Sequence, residues 1–220
     1  IKNAVLQEAE RIRQNQISFE DRDMEDGGDW VDDRELTWAC WELRGTIENE
    51  ELPLAERDAA AAKMEQLAQT GDAYAQYFLG LLYRDGGLLV PDTAKAKHWL
   101  EQAAKQEVHA AQYALSRLLL SDDPDVRDPD EGIHWMKAAA KNGNDYAAYT
   151  LGKEYLSGKH VVKNSGTAME YLHQAAQADN PWVQYLLGKL YLLGEGVEQN
   201  EDSAYELSLI HISEPTRHAQ

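Results

Sequence analysis

Cysteine is nearly absent from this chain of 220 residues, in which Cys40 is the single example. One cysteine excludes an intrachain disulfide, and so low a cysteine content is typical of proteins from a reducing compartment. Cys40 stands between two tryptophans in the helical pattern "WACWEL". This setting favours a buried, inert thiol over a nucleophile. We therefore expect a cytoplasmic protein.

Basic residues and long apolar runs are also scarce. The chain has 21 Lys and Arg against 39 Asp and Glu, which gives a formal net charge of −18. Binding led by the phosphates of nucleic acid requires clustered cations, so this balance argues against direct nucleic-acid binding. No apolar run approaches the roughly 20 residues that a membrane-spanning helix needs. We expect neither a nucleic acid nor a membrane as partner.

The sequence lacks the common signatures of catalysis and metal binding, such as a P-loop or a G-x-S-x-G elbow. The acidic stretch "FEDRDMEDGGDWVDDRE" fails as a calcium loop in both registers. One register places Asp26 where the sharp turn needs Gly, and the other places Arg34 where a bidentate Glu belongs. His98, His134 and Glu170 stand 36 residues apart, but stacked helices keep such positions about 10 Å apart, too far for one ion. We expect no enzyme, no metal and no cofactor.

What the chain does contain is an internal repeat of 36 residues. The positions in register are the tyrosines Tyr77, Tyr113, Tyr149 and Tyr185, the leucines Leu79, Leu115, Leu151 and Leu187, and the small residues Gly80, Ser116, Gly152 and Gly188. A second set follows, with Ala96, Gly132, Ala168 and Ala204, and with Trp99, Trp135 and Tyr171. Apolar residues within each half of a unit recur at helical spacing, so each unit predicts two helices joined by a polar turn. The small residue at Gly80 is expected to permit close approach of the two helices.

These residues resemble the Sel1-like repeat, a relative of the tetratricopeptide repeat. The resemblance rests on the pattern A-x-Y-x-L-G-x-x-Y, then G-x-G-V, then K-A-x-x-W-x-x-x-A-A. Clear instances are "AQYFLGLLYRDGG" with "AKAKHWLEQAA", and "VQYLLGKLYLLGEGV". The resemblance implies an all-α fold, a right-handed αα-superhelical solenoid of 36-residue helix-turn-helix units in which each unit contacts only its neighbours.

The repeat register predicts four regions. Residues 1–32 form an N-terminal helix and an acidic linker, and residues 33–71 a degenerate first repeat. Arg44 stands there where the pattern expects Gly. Residues 72–206 hold three full repeats and one truncated repeat, and residues 207–220 form a tail that is out of register.

The tail "LSLIHISEPTR", residues 207–217, resembles a translated sequencing adapter, and Pro215 would break the helix expected there. We expect the last repeat to lack its second helix and the tail to be non-native. Because the chain begins with Ile1 and not Met, we also expect the natural protein to extend further upstream, where a targeting signal could lie.

The resemblance further implies that part of the first helix of each unit lines a concave groove. The partner-binding candidates on these helices are Tyr74, Tyr77, Arg84, Tyr113, Arg117, Tyr146, Tyr149, Lys153, Trp182, Tyr185 and Lys189. They combine an aromatic ladder with a cationic row that suits an acidic peptide or a C-terminal carboxylate. Two interpretations stay open, since periodic tyrosines either pack between repeats or contact a partner.

The leading hypothesis is a non-enzymatic scaffold that presents an aromatic-lined groove to another protein or peptide. The alternative is the helical-repeat region of a larger bacterial protein. A relaxase that mobilises plasmids or conjugative elements is one such protein, and its catalytic domain would be absent from this chain. That alternative rests on the general character of "DWVDDRELTWACWELRG" and not on a motif.

Overall fold

The computed structural model describes residues 38–86, 88–177, 181–194, 197–200, 202–204 and 207, with the backbone alone at 38, 181, 182 and 185. The predicted helix and acidic linker at 1–32 and most of the tail at 207–220 lie outside these ranges. Within them the regular structure is entirely helical, without strands. The helices are α1 Trp38–Glu48, α2 Leu54–Gln69, α3 Ala73–Asp85, α4 Thr93–Lys105, α5 His109–Leu119, α6 Pro129–Lys141, α7 Asp145–Ser157, α8 Ser165–Ala176 and α9 Pro181–Leu193.

The described chain divides into two compact units, with the division inside α7 between Ala147 and Ala148. The N-terminal unit holds α1 to α6 and the start of α7. The C-terminal unit holds the rest of α7 with α8, α9 and the residues that follow. In the N-terminal unit consecutive helices pack as pairs, as the 36-residue period predicts.

The second helix of each repeat begins at a capping residue that recurs every 36 positions. The four capping residues are Asp92, Asp128, Asn164 and Asn200. Each side chain accepts a hydrogen bond from the backbone N–H three residues later, at 3.0 to 3.1 Å. Each backbone N–H also donates to a carbonyl near the end of the preceding helix, at 2.8 to 2.9 Å. One residue therefore ends the turn and starts the next helix, and such a cap contributes about 1 kcal/mol.

Small residues allow the two helices of a pair to approach closely. A Cβ atom on Gly80 would lie 2.7 Å from Cγ of Leu100, which is fully buried. Gly152 repeats the arrangement in the C-terminal unit, where a Cβ would lie 2.6 Å from Cγ of Leu172. Interiors are packed too tightly to absorb such an atom without displacement. The predicted role of Gly80 is confirmed.

Buried amides join successive helices of the N-terminal unit through a motif that we call the amide bridge. Gln76 of α3 donates from Nε2 to the carbonyl of Ala68 at 3.0 Å, and its Oε1 accepts from Nε2 of Gln106 at 2.8 Å. One side chain thereby connects α2, α3 and the end of α4. Because the Gln76 amide is almost completely buried, its two hydrogen bonds fix the register between these helices.

The same bridge recurs one repeat later. Gln112 of α5 donates from Nε2 to the carbonyl of Ala104 at 3.1 Å and accepts from Nδ2 of Asn142 at 3.1 Å. Both glutamines are almost completely buried. The amide bridge is therefore a repeated element of the packing in this unit.

The pair α1 and α2 precedes the repeats and packs around a sulfur contact. Sγ of Cys40 lies 3.7 Å from Sδ of Met64, and both side chains are fully buried. Nε of Arg57 donates to the carbonyl of Ile47 at 2.9 Å, which satisfies the end of α1. These contacts make the segment before the repeats part of the same packed unit.

Helical residues 202–204 follow the cap at Asn200, and Leu207 is helical as well. The second helix of the last repeat therefore begins as in the other repeats, and the prediction that this repeat lacks a second helix is wrong. A Cβ on Gly188 would lie 3.6 Å from Cβ of Leu207. The predicted loss of register after 206 and the adapter-like origin of the tail stay predictions, since the residues after 207 lie outside the described ranges.

Candidate functional site

Two of the predicted partner-binding tyrosines are core residues. The side chain of Tyr77 is fully buried, and that of Tyr113 is 5% exposed. Tyr77 lies 5.1 Å from Phe78 between ring centroids, inside the hydrophobic core of the N-terminal unit. For these two rings the burial favours the interpretation in which the periodic tyrosines pack within the fold, and their contact with a partner stays a prediction.

Arg117, Tyr113 and Tyr146 lie together in the N-terminal unit, and we call them the Arg117 cluster. The Arg117 guanidinium carbon lies 5.9 Å from the centre of the Tyr113 ring. The Tyr113 and Tyr146 rings are 6.5 Å apart between centroids, with 38° between their planes. Arg117 is exposed and Tyr146 is half-buried, so the cluster has a buried base and an accessible upper part.

The local sequence explains this geometry. Arg117 follows Tyr113 by four residues on α5, and helical residues four apart lie on the same face. Tyr146 belongs to the first turn of α7, which the capping side chain of Asn144 starts by accepting from the N–H of Ala147 at 2.8 Å. Two neighbouring first helices thus supply one cluster. A cation over an aromatic face contributes roughly 0.5–1 kcal/mol at an exposed site.

The C-terminal unit repeats the pairing of a tyrosine with a cation four residues later. Nζ of Lys153 lies 5.5 Å from the centre of the Tyr149 ring, and both side chains are half-buried. Tyr149 and Lys153 are the equivalents of Tyr113 and Arg117. Lys189 is also half-buried, while the side chains of Trp182 and Tyr185 lie outside the described residues.

The first repeat lacks this pairing, because Leu81 stands where Arg117 and Lys153 stand later. The predicted cation of this repeat is Arg84, whose Nε lies 2.6 Å from Oδ1 of Asp85 and whose Nη2 lies 2.7 Å from Oδ2. A bidentate pair of this kind already uses the guanidinium. Tyr74 is half-buried at the start of α3.

The interaction between Asp145, at the start of α7, and His109 was not predicted from the sequence. Burial raises the pKa of Asp145, and the neighbouring His109 partly opposes this rise. Nδ2 of Asn144 lies 3.4 Å from Nδ1 of His109. His109 and Asp145 occupy equivalent positions 36 residues apart. This spacing is the sequence signal from which their interaction could have been predicted. Protonation of Asp145 to the neutral carboxylic acid would remove the cost of burying its charge.

The other sequence candidates form no chemical centre. The His98 and His134 rings pack edge-on against Trp99 and Trp135 and are exposed on their helices. Within the described ranges, no three metal-binding side chains come together in a group that could hold an ion. Burial, reinforced by Asp72, raises the pKa of Cys40 to about 12 against the opposing effect of Arg44. Its thiol is therefore protonated at neutral pH, as predicted for an inert cysteine.

Helix pairs repeated every 36 residues define a protein of the helical-repeat class. Comparison with protein families identifies the repeat: residues 73–108, 109–144, 145–180 and 183–209 each match the Sel1 repeat. The chain belongs to the Sel1 repeat family. Proteins of this family are generally interaction scaffolds that bind other proteins, and their fold is typically non-catalytic. The match begins at residue 73, so the degenerate repeat at 33–71 stays a prediction.

Solved bacterial structures share this fold. A protective antigen of uropathogenic Escherichia coli with an SLR fold is 25% identical, with a TM-score of 0.70 over 80% of this chain and 37% of that one. A Sel1 repeat protein from Oxalobacter formigenes is 22% identical, with a TM-score of 0.69 over 80% of this chain and 72% of the other. An immunity protein from Pseudomonas aeruginosa is 22% identical, with a TM-score of 0.51 over 80% of this chain and 64% of that one.

The chain thus spans only 37% of the length of the Escherichia coli antigen. A comparison with curated proteins gives no significant match. None of the helices in the described ranges combines the length and the apolar character that crossing a lipid bilayer requires.

Proposed function

We propose that this chain is a non-catalytic scaffold that binds another protein through an aromatic-lined groove on the first helices of its repeats. The observation that carries the proposal is a pairing that occurs in each of the two units, a cation over the ring of a tyrosine four residues earlier on a first helix: Arg117 over Tyr113 in one unit and Lys153 over Tyr149 in the other. Aromatic and arginine side chains are the residues that most often dominate binding energy at protein interfaces. The family's general role as an interaction scaffold supports the same function.

Selection from a peptide library tests the proposal before the natural partner is identified. The purified chain would be used to select binders from a displayed library of random dodecapeptides, and the selected peptides would be titrated against variants. We expect Tyr146→Ala and Lys153→Glu to weaken binding by about tenfold each, since each removes part of the proposed contact surface. Circular dichroism would establish that both variants remain folded.

His98→Ala serves as the matched control, because His98 is an exposed aromatic residue on a second helix. It should leave the affinity within about twofold, as expected for a position outside the contact surface. Failure to select any peptide would contradict the proposed function. Binding that survives both first-helix variants and is lost in His98→Ala would place the contact on the second helices instead.

The relaxase alternative stays a hypothesis from sequence character. The comparisons give it no support, and none of the contacts described above favours it.

A further inference from the structure

Among the arginines whose side chains the structure describes, one differs from the others in its partners. The structure describes the side chains of five arginines, and four of them have an acceptor within the chain. These pairs are Arg44 with Glu48, Arg57 with the carbonyl of Ile47, Arg84 with Asp85, and Arg127 with Asp122. Within the described ranges, Arg117 contacts no carboxylate or carbonyl oxygen, and its guanidinium lies over the Tyr113 ring instead.

The exception matters because carboxylates are abundant. The chain carries 39 acidic residues against 21 basic ones, so a surface arginine would readily find a partner. Arg117 is instead exposed, with its guanidinium above a tyrosine that is only 5% exposed. The buried ring limits where the guanidinium can lie, and such restriction reduces the entropy lost when a ligand binds.

A guanidinium held in this way offers planar N–H donors that match the two oxygens of a carboxylate. Tyr146, whose ring lies 6.5 Å from that of Tyr113, adds a half-buried aromatic surface to the cluster, suited to an apolar side chain next to the carboxylate. We infer that the Arg117 cluster recognises an acidic segment of the partner protein, with an Asp or Glu carboxylate bound by Arg117. This inference rests on the proposed scaffold function and names the partner chemistry of one part of it.

Charge favours a short acidic segment over a nucleic acid. At physiological ionic strength the Debye length is about 8 Å, so a peptide carboxylate responds mainly to the nearest cation. A nucleic acid places a charge every few ångströms and would extend over the carboxylates of a chain whose formal net charge is −18.

The test uses the peptides selected in the dodecapeptide experiment, synthesised with acetylated and amidated ends. Their affinity is measured by fluorescence anisotropy for the full chain and for variants. We expect the selected sequences to be rich in Asp and Glu. Arg117→Gln should weaken binding by about tenfold or more, and Arg117→Lys by less, because lysine keeps the charge but loses the bidentate geometry.

Arg127→Gln is the matched control, since it makes the same change of charge at an exposed arginine that already has Asp122 as partner. It should leave the affinity within about twofold, as expected for a rim charge. Equal effects of Arg117→Gln and Arg127→Gln would overturn the inference, because the dependence would then be on net charge alone. Loss of binding on amidation would also overturn it, since the bound group would be a C-terminal carboxylate.

The failure of this inference differs from the failure of the scaffold function. Peptides without acidic residues that bind independently of Arg117 would contradict the inference and leave the scaffold function standing. If the library yields no binder, both are contradicted.

Discussion

The helix pairs α3–α4 and α5–α6 are consecutive repeats of the same unit, and several of their equivalent positions form the same hydrogen bonds. Asp92 and Asp128 cap the second helices with the same two hydrogen bonds. Gln76 and Gln112 form the same amide bridge to the preceding helix. These shared positions account for the fold of the unit.

The two pairs differ where the first helix meets the second. Gly80 in the first pair faces Leu100 without room for a Cβ, whereas the second pair has Ser116 and Met136 at the equivalent positions. Methionine is unbranched and adapts to irregular space better than leucine. The repeat with the larger residue at the position of Gly80 therefore has the more adaptable residue at the position of Leu100.

They differ again on the exposed surface of the first helix. Position 81 is Leu in the first pair, and the equivalent position 117 is an exposed Arg above Tyr113. The change at position 81/117 supplies the cation of the proposed binding cluster, whereas the tyrosine beneath it recurs in both repeats.

Introducing the residues of the second pair at positions 80 and 100 of the first has the largest expected effect on the free energy of unfolding. Gly80→Ser alone should lower the free energy of unfolding by about 3 kcal/mol, because a side chain must enter a filled space and bury its hydroxyl. The double variant Gly80→Ser with Leu100→Met should recover about half of that loss. Urea denaturation of the singles and the double measures both values.

Gly45→Ser is the control for this exchange. Gly45 lies on α1, and a Cβ there would meet nothing within 4 Å. The substitution should change stability by no more than about 0.5 kcal/mol, as at other exposed helix sites. A double variant no more stable than Gly80→Ser would contradict the compensation between positions 80 and 100.

Breaking the amide bridge should have the next largest effect, and a similar one in both repeats. Gln112→Leu should cost about 2 kcal/mol, because the Ala104 carbonyl and the Asn142 amide lose a buried partner. Gln76→Leu should cost about the same. The control is Gln66→Leu, the same substitution at an exposed glutamine outside the bridge. It should change stability by less than about 0.5 kcal/mol. Equal effects at Gln66 and Gln112 would show that the bridge does not stabilise the unit.

The smallest effect is a gain at the position where the pairs differ. Ser116 buries its hydroxyl oxygen without a hydrogen-bond partner among the described residues. Ser116→Ala should therefore raise the free energy of unfolding by about 1 kcal/mol, since the desolvated hydroxyl is removed. Ser121→Ala removes a hydroxyl that donates to the Leu118 carbonyl at 2.7 Å, so it should lower stability by about 0.5 kcal/mol. In thermal denaturation, the melting temperature should rise for Ser116→Ala and fall for Ser121→Ala. A lower melting temperature for Ser116→Ala would mean that the Ser116 hydroxyl is paired.

The 36-residue period made the helix pairs, the close contact at Gly80 and the family predictable from the sequence. It did not separate the buried Tyr77 from the accessible parts of the Arg117 cluster, because exposure depends on which neighbouring helices cover each ring. The glutamines of the amide bridges, Gln76 and Gln112, do recur at this interval, but the period does not show that Gln76 pairs with Gln106, 30 residues later on another helix. The capping residues Asp92 and Asp128 also recur at an interval of 36 residues, but their role depends on backbone geometry that the amino-acid sequence alone does not show.

We propose that a protein partner binds on the first helices through the Arg117 cluster. The most direct measurement is nuclear magnetic resonance of the isotope-labelled chain, titrated with an acidic peptide from the selection. We expect the largest shifts at Tyr113, Arg117 and Tyr146, and their loss in Arg117→Gln. Shifts confined to the second helices around Trp99 and Trp135, with the Arg117 cluster unchanged, would contradict it.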